Sequence, residues 1–251
     1  MLTGSDGLPA REAPPGYPVR IDWDGILVDD PGPDGNSLHA DDIVRRVREV
    51  LELLFGDRHD AIEKEACEIL RAKDLRDYLR YPNGFFTDHI RRYSKSRRKA
   101  PIYWLLQSSK CSYGLWLYYH RLDRDTVFKA LRNYVLPKIN GETTRLREMT
   151  DGLEQGKDWL PQSQRTKREK AIDKQEALLT ELTAFKEALE RVAALGYDPD
   201  LNDGVVLNIA PFYEITPWKV AKQYWDELCE GKYEWSTMSK RLREKGLVAG
   251  G

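Results

Sequence analysis

The stretch IYWLLQSSKCSYGLWLYYH, residues 102–120, decides the fold. Two runs in it, Ile102-Tyr103-Trp104-Leu105-Leu106 and Leu115-Trp116-Leu117-Tyr118-Tyr119, are rich in the aromatic and bulky side chains that fit a pleated surface. The polar segment 107–114 separates them, which predicts a β-hairpin with a longer loop. Neither run alternates apolar with polar, so the hairpin has to be covered on both faces.

The surrounding sequence turns helical. Upstream, a short strand falls within residues 19–28 and a turn-rich loop spans 29–37. Ser37 or His39 then opens a helix whose apolar positions are Ile43, Val44, Val47, Val50, Leu51 and Leu54, with Gly56 at its end. A second helix over 61–72 buries Ile62, Ala66, Ile69 and Leu70. Asp74 caps a short third helix, residues 81–84 turn, and residues 86–93 form a fourth. Downstream, Asp125 caps a helix through Val135, and Pro137 follows its end. Residues 138–195 are dominated by charge and broken around 152–161. Leu178, Leu182, Phe185, Leu189 and Val192 keep the 4-3-4-3 spacing of a coiled-coil seam, over fewer than three heptads. That length favours an antiparallel helical hairpin folded back on 138–151, closed by Gly196. A strand is expected at 205–209. A helix then begins with Pro217 at its first position and buries Trp218, Val220 or Ala221, Tyr224, Trp225 and Leu228; a short one covers 236–247.

The fold class is therefore mainly α with a small β-hairpin or sheet: a helical bundle plus a coiled-coil-like helical-hairpin arm. The division predicted is a disordered Gly/Pro-rich tail at 1–20, a helical domain with the hairpin at 21–137, the arm at 138–195, and a closing segment at 196–251 that packs on the first domain.

Composition narrows the function. The chain has 251 residues, 40 basic and 41 acidic, for a net charge of -1. A polyanion can be attracted only by local clustering of cations. Three cysteines at wide spacing argue against a disulfide framework and a zinc site, and fit a reducing, cytoplasmic setting. Residues 1–18 have no apolar core of a signal peptide, and no apolar run has membrane-spanning length, so no membrane partner is expected.

Signatures of catalysis are missing. There is no glycine-rich phosphate loop, HExxH, CxxC or GxSxG. His39, His59, His89 and His120 lie apart without ligand spacing, and no partner acid or nucleophile accompanies any of them. His120 ends an aromatic strand, where it would cap a hydrogen-bond network. The pairs Asp29-Asp30 and Asp41-Asp42 are adjacent in sequence and read as solvated surface. Cys111, beside Lys110 in the hairpin loop, carries no mark of a nucleophile.

One cationic run remains. Residues 91–99 read RRYSKSRRK: Arg91, Arg92, Lys95, Arg97, Arg98 and Lys99 with no acidic residue among them. Guanidinium groups fork onto phosphate oxygens and lysine adds point charge, so such a run grips a nucleic-acid backbone with little sequence preference. The bland alternative is a solvated face paired with acidic neighbours. Tyr103, Trp104, Trp116, Tyr118 and Tyr119 could stack bases, but at strand spacing core packing is the commoner use.

Three segments together carry a resemblance: FTDHIRRYSKSRRKAPIYW (86–104), YGLWLYYHRLDRDTVFKALRNYVLP (113–137) and DGVVLNIAPFYEITPWKVAKQYW (203–225). They resemble the carboxy-terminal region of the large adenine-specific DNA methyltransferases of phage defence, the BREX PglX type and related DISARM and type IIG enzymes. The resemblance implies a parent enzyme that transfers a methyl group from S-adenosylmethionine to adenine in DNA. Its catalytic Asn-Pro-Pro-Tyr type motif and methyl-donor loop have no counterpart here. The chain then reads as a fragment or separately encoded part, with no catalytic residue, metal or cofactor of its own. Expected partners are double-stranded DNA and the amino-terminal methyltransferase domain or other defence subunits. Two readings stay open: a DNA-binding module supporting target recognition, held by the 91–99 cations, and a docking module without DNA contact. An independent enzyme of unknown type is the third and least supported.

Overall fold

The computed structural model describes residues 24–32, 39–95, 98–156 and 159–248. The tail expected at 1–20, most of the loop expected at 29–37, and Ser37 lie outside them.

In chain order the strands are β1 (Ile26–Asp29), the two-residue pair β2 (Ser94–Lys95) and β3 (Arg98–Lys99), then β4 (Tyr103–Gln107) and β5 (Gly114–Tyr118). The hairpin predicted over 102–120 is β4–β5, and β1 adds to its other side to give an antiparallel sheet of order β1-β5-β4. The register aligns Ile26, Leu117 and Trp104 across the sheet, and Leu27, Trp116 and Leu105 beside them. Both faces are buried, as the unbroken apolar runs require. On one face Trp116 meets Phe85 and Phe86 at 5.4 and 5.8 Å; on the other Trp104 meets Trp218 at 5.1 Å. Around this sheet the chain is mainly helical, and a single apolar cluster extends from Ile26 to Leu242.

The helix α1 (Ile43–Phe55) starts later than Ser37 or His39. Residues 41 and 42 are taken up by the sheet: Val28 N–H donates to the Asp41 carbonyl at 2.9 Å. Asp42 then caps the helix by accepting from the Val44 and Arg45 amides. The helix α2 (His59–Leu70) packs chiefly on α1 and α3 (Leu75–Arg80). Cys67 is its buried residue, while Ala66, Ile69 and Leu70, predicted as core, face outward. Asp74 caps α3 through the Asp77 amide, and residues 81–84 turn into α4 (Phe85–Arg92).

Pro137 does not end a helix. α5 (Thr126–Lys129) runs through a π turn (Ala130–Val135) into α6 (Leu136–Gln155). A proline has no N–H and its ring crowds the preceding turn; the wider π turn absorbs both. Asp125 makes no capping bond. Asp123 does that work, accepting from the Asp125 amide and the Thr126 hydroxyl. The long α7 (Gln162–Ala194) returns antiparallel to α6: Gln175 donates to the Glu142 carbonyl at 3.0 Å and Arg168 to that of Gly152 at 2.9 Å. Leu182, Phe185, Leu189 and Val192 are buried, and Phe185 meets Tyr113 edge-on.

The strand expected at 205–209 is a helix, α8 (Val205–Ile209). Gly204 enters it at φ +93, and the Asn208 amide locks it by donating to the carbonyls of Asp200 and Gly204 and to the Tyr119 hydroxyl. α9 (Lys219–Cys229) begins two residues after Pro217, with Ala221 and Leu228 buried and Trp218, Tyr224 and Trp225 half-buried. α10 (Thr237–Glu244) is capped by Ser236. Among the described residues no helix is long and apolar enough to cross a membrane.

Candidate nucleic-acid interface

The cationic segment stands on a platform fixed by a buried ion cluster. Asp29 and Asp42, read from sequence as solvated, are buried. Asp29 accepts from Arg76 Nη1 at 2.7 Å and from Arg80 Nε and Nη2 at 2.8 and 2.9 Å. Asp42 accepts from Arg76 Nη1 and Nη2 at 2.9 and 2.8 Å. Burial opposes the Arg76 charge, but its bonds to the two carboxylates outweigh that and raise its pKa. Two carboxylates against two guanidiniums leave no net charge in the cluster, so α3 is tied to the sheet edge without an unpaired buried ion. Adjacent aspartates looked solvated because their partners lie 34–51 residues downstream. Asp41 also differs from that reading, being largely buried beside Arg46 at 3.7 Å. Asp30 is half-buried and pairs with Lys138 at 2.8 Å.

The turn from α3 to α4 admits little but glycine at Gly84, where an added Cβ would sit 2.1 Å from the Tyr78 carbonyl oxygen. That closeness seats α4 against the sheet. Phe86 and His89 are buried, and Arg91 and Arg92 project from its last turn into solvent. Arg91 pairs with Asp88 at 3.3 Å across exposed surface, a contact worth less than about 1 kcal/mol. Arg92 has no carboxylate partner among the described residues.

Directly after α4 the chain makes the ribbon β2–β3, with Ser94 opposite Lys99 and Lys95 opposite Arg98. The Ala100 amide extends it by donating to the Tyr93 carbonyl at 3.1 Å. Of the six cations singled out in the sequence, two therefore sit on the last turn of α4 and three on ribbon positions. Arg97 lies outside the described residues, with Ser96.

His89 joins helix and sheet in a way the sequence did not signal. Its Nε2 accepts from the Ile102 and Tyr103 amides at 3.0 and 2.9 Å, which places the ring proton on Nδ1. Burial, helped by the Arg92 charge, lowers its pKa to about 4, so the ring is neutral near pH 7. Its ring lies 4.7 Å from Tyr93 and 5.3 Å from Tyr103, and Tyr103 stacks on Tyr118 at 5.3 Å. Of the aromatic stripe, Trp104, Trp116 and Tyr119 are core, Tyr118 is half-buried and Tyr103 is 38% exposed; Tyr93, outside the stripe, is 41% exposed. An open depression of about 630 Å³ is lined by Tyr78, Phe85, His89, Arg92, Tyr93 and Tyr103, among others.

Elsewhere, His120 is exposed in the middle of a short 3₁₀ turn and packs edge-on against Tyr118 and Tyr119; among the described residues it caps no hydrogen-bond network, and the Tyr119 hydroxyl and Asn208 form one instead. Cys111 is half-buried, its thiol pKa raised by burial. The loop that holds it is organised by Glu181, which accepts from the Ser108 hydroxyl and the Lys110 and Ser112 amides.

No protein-family model matches the chain. The adenine-specific methyltransferase BrxX of Escherichia coli O9:H4 (strain HS) is 27% identical over 210 residues, 77% of this chain and 16% of the relative. The adenine-specific methyltransferase PglX of Lacticaseibacillus casei (strain Zhang) is 30% identical over 183 residues, 67% of this chain and 14% of the relative. The chain thus spans less than a fifth of the length of these curated relatives. The sheet here is three antiparallel strands, not the doubly wound parallel sheet whose carboxyl edge binds nucleotide cofactors. On the two alignments, the chain is a relative of the BREX PglX-type adenine-specific methyltransferases.

Proposed function

We propose that this chain is a non-catalytic, DNA-contacting module of a phage-defence adenine-specific methyltransferase, supporting target recognition by the parent enzyme. The observation that carries the reading is the cationic run itself: exposed Arg91 and Arg92 lead straight into a ribbon bearing Lys95, Arg98 and Lys99. In a chain of net charge -1, such clustering supplies a local attraction that the whole molecule lacks. The names of the relatives put the same chemistry, adenine-specific methylation, nearby. A gel shift with duplex DNA tests it: the chain should bind at low salt, and the Arg97→Ala, Arg98→Ala, Lys99→Ala triple variant should lose most of that binding. Unchanged binding by the triple variant removes the basis of the reading.

A second reading, docking without DNA contact, is favoured by a separate observation. Leu53, Leu54, Phe55, Ile69 and Leu70 expose an apolar surface on α1 and α2, with Leu54 at 69% and Ile69 at 74% exposure. Surface of this kind marks interaction sites, and the catalytic portion of the parent enzyme is the partner this reading assigns. It requires stable co-purification with that portion and no DNA affinity of the chain alone.

A further inference from the structure

We infer that the depression between α4 and the hairpin receives an unstacked nucleobase of the DNA strand whose phosphates the cationic segment holds; this rests on the DNA-contact reading above. Three features of the depression point there. Its aromatic walls are partly bare: Tyr93 and Tyr103 keep 41% and 38% of their surface exposed, although both pack against His89. Base–aromatic stacking uses such faces and tolerates any sequence. Tyr103 is held from behind by Tyr118, so it offers a fixed platform rather than a mobile side chain.

The second feature is a directional donor. His89 is 5% exposed, and Nε2 is spent on the Ile102 and Tyr103 amides. Its Nδ1–H meets no acceptor among the described residues, while the ring lines the depression. A neutral imidazole N–H suits the ring nitrogens and carbonyl oxygens of a base.

The third is placement. Arg91 and Arg92 stand among the lining residues, and the ribbon begins at the residue after Tyr93. A strand following these cations runs past the opening. The volume of about 630 Å³ is ample for one nucleotide, and the depression is too open to enclose a ligand without such a strand to hold it.

The test compares two labelled duplexes, one fully paired and one with a single unpaired nucleotide, by fluorescence anisotropy with the full chain. The wild type should prefer the second by roughly tenfold, the scale of one aromatic stacking contact. Tyr93→Leu should abolish that preference while leaving fully paired duplex affinity and its salt dependence within twofold. Tyr103→Phe, which keeps the stacking face and the core packing, should retain the preference. Equal affinity of the wild type for the two duplexes overturns the inference but leaves the DNA-contact reading intact. No binding to either duplex overturns both. A preference that survives undiminished in Tyr93→Leu would place the unpaired base elsewhere and also overturn it.

Discussion

Replacing Asp29 with asparagine probes the foundation of the candidate interface. Asp29 is fully buried and accepts three bonds of 2.7–2.9 Å from Arg76 and Arg80. The substitution keeps the shape but removes one of two carboxylates, so two largely buried guanidiniums face a single negative charge. The asparagine side chain offers one carbonyl oxygen, while its amide group points donors at donors. Arg76 keeps its bidentate bonds to Asp42; Arg80 is left without a carboxylate partner in the cluster. Removing one partner of a buried pair costs about 3–5 kcal/mol. For a chain of this size that corresponds to a melting temperature lowered by roughly 6–20 °C. Thermal unfolding followed by circular dichroism and by tryptophan fluorescence measures it. Asp226→Asn serves as the control, because it removes an exposed, solvent-screened pair with Lys222 and should leave the melting temperature nearly unchanged. If Asp29→Asn costs no more than the control, the cluster does not tie α3 to the sheet.

Two further outcomes concern buried groups at the two ends of the hairpin, His89 and Glu181. His89 titrates at about 4 in the folded chain against an ordinary 6.5, so the unfolded chain takes up this proton first. Its contribution is therefore complete above pH 6.5 and is lost as pH falls towards 4, by roughly 3 kcal/mol at about 1.36 kcal/mol per unit; an NMR titration of the His89 ring near 6.5 would contradict the geometry. Glu181→Ala strands the Ser108 hydroxyl and the Lys110 and Ser112 amides. It should cost about 2–3 kcal/mol in urea unfolding and speed amide exchange at Lys110 and Ser112, and unchanged exchange there would show that the loop holds itself.

How far the sequence could be read depended on range. The β4–β5 hairpin was legible because its two runs carry their own pattern. The third strand was only half legible, since β1 is defined by pairing with β5 some 90 residues away. Residues 205–209 read as a strand because four apolar residues, interrupted only by Asn208, fit strand or helix equally, and the choice is made by Asn208 reaching Asp200 and Tyr119. Pro137 looked like a helix end because proline usually is one; only the π turn before it lets the helix continue. Within the candidate site the cations were plain from composition. The buried role of His89 was not, because both its partners are main-chain amides and carry no side-chain signal. Asp29 and Asp42 were misjudged for the converse reason: their arginines are visible, but nothing local pairs them.

The most direct measurement is the salt dependence of duplex DNA binding, wild type against the Arg97→Ala, Arg98→Ala, Lys99→Ala variant. Each phosphate neutralised contributes about 0.9 to the slope of log affinity against log salt. Six cations predict a wild-type slope approaching about -5 and a loss of roughly 10³ in affinity between about 50 and 200 mM salt; the variant slope should be shallower by about 3. A wild-type slope near zero, or the same slope in both proteins, contradicts DNA contact through this segment.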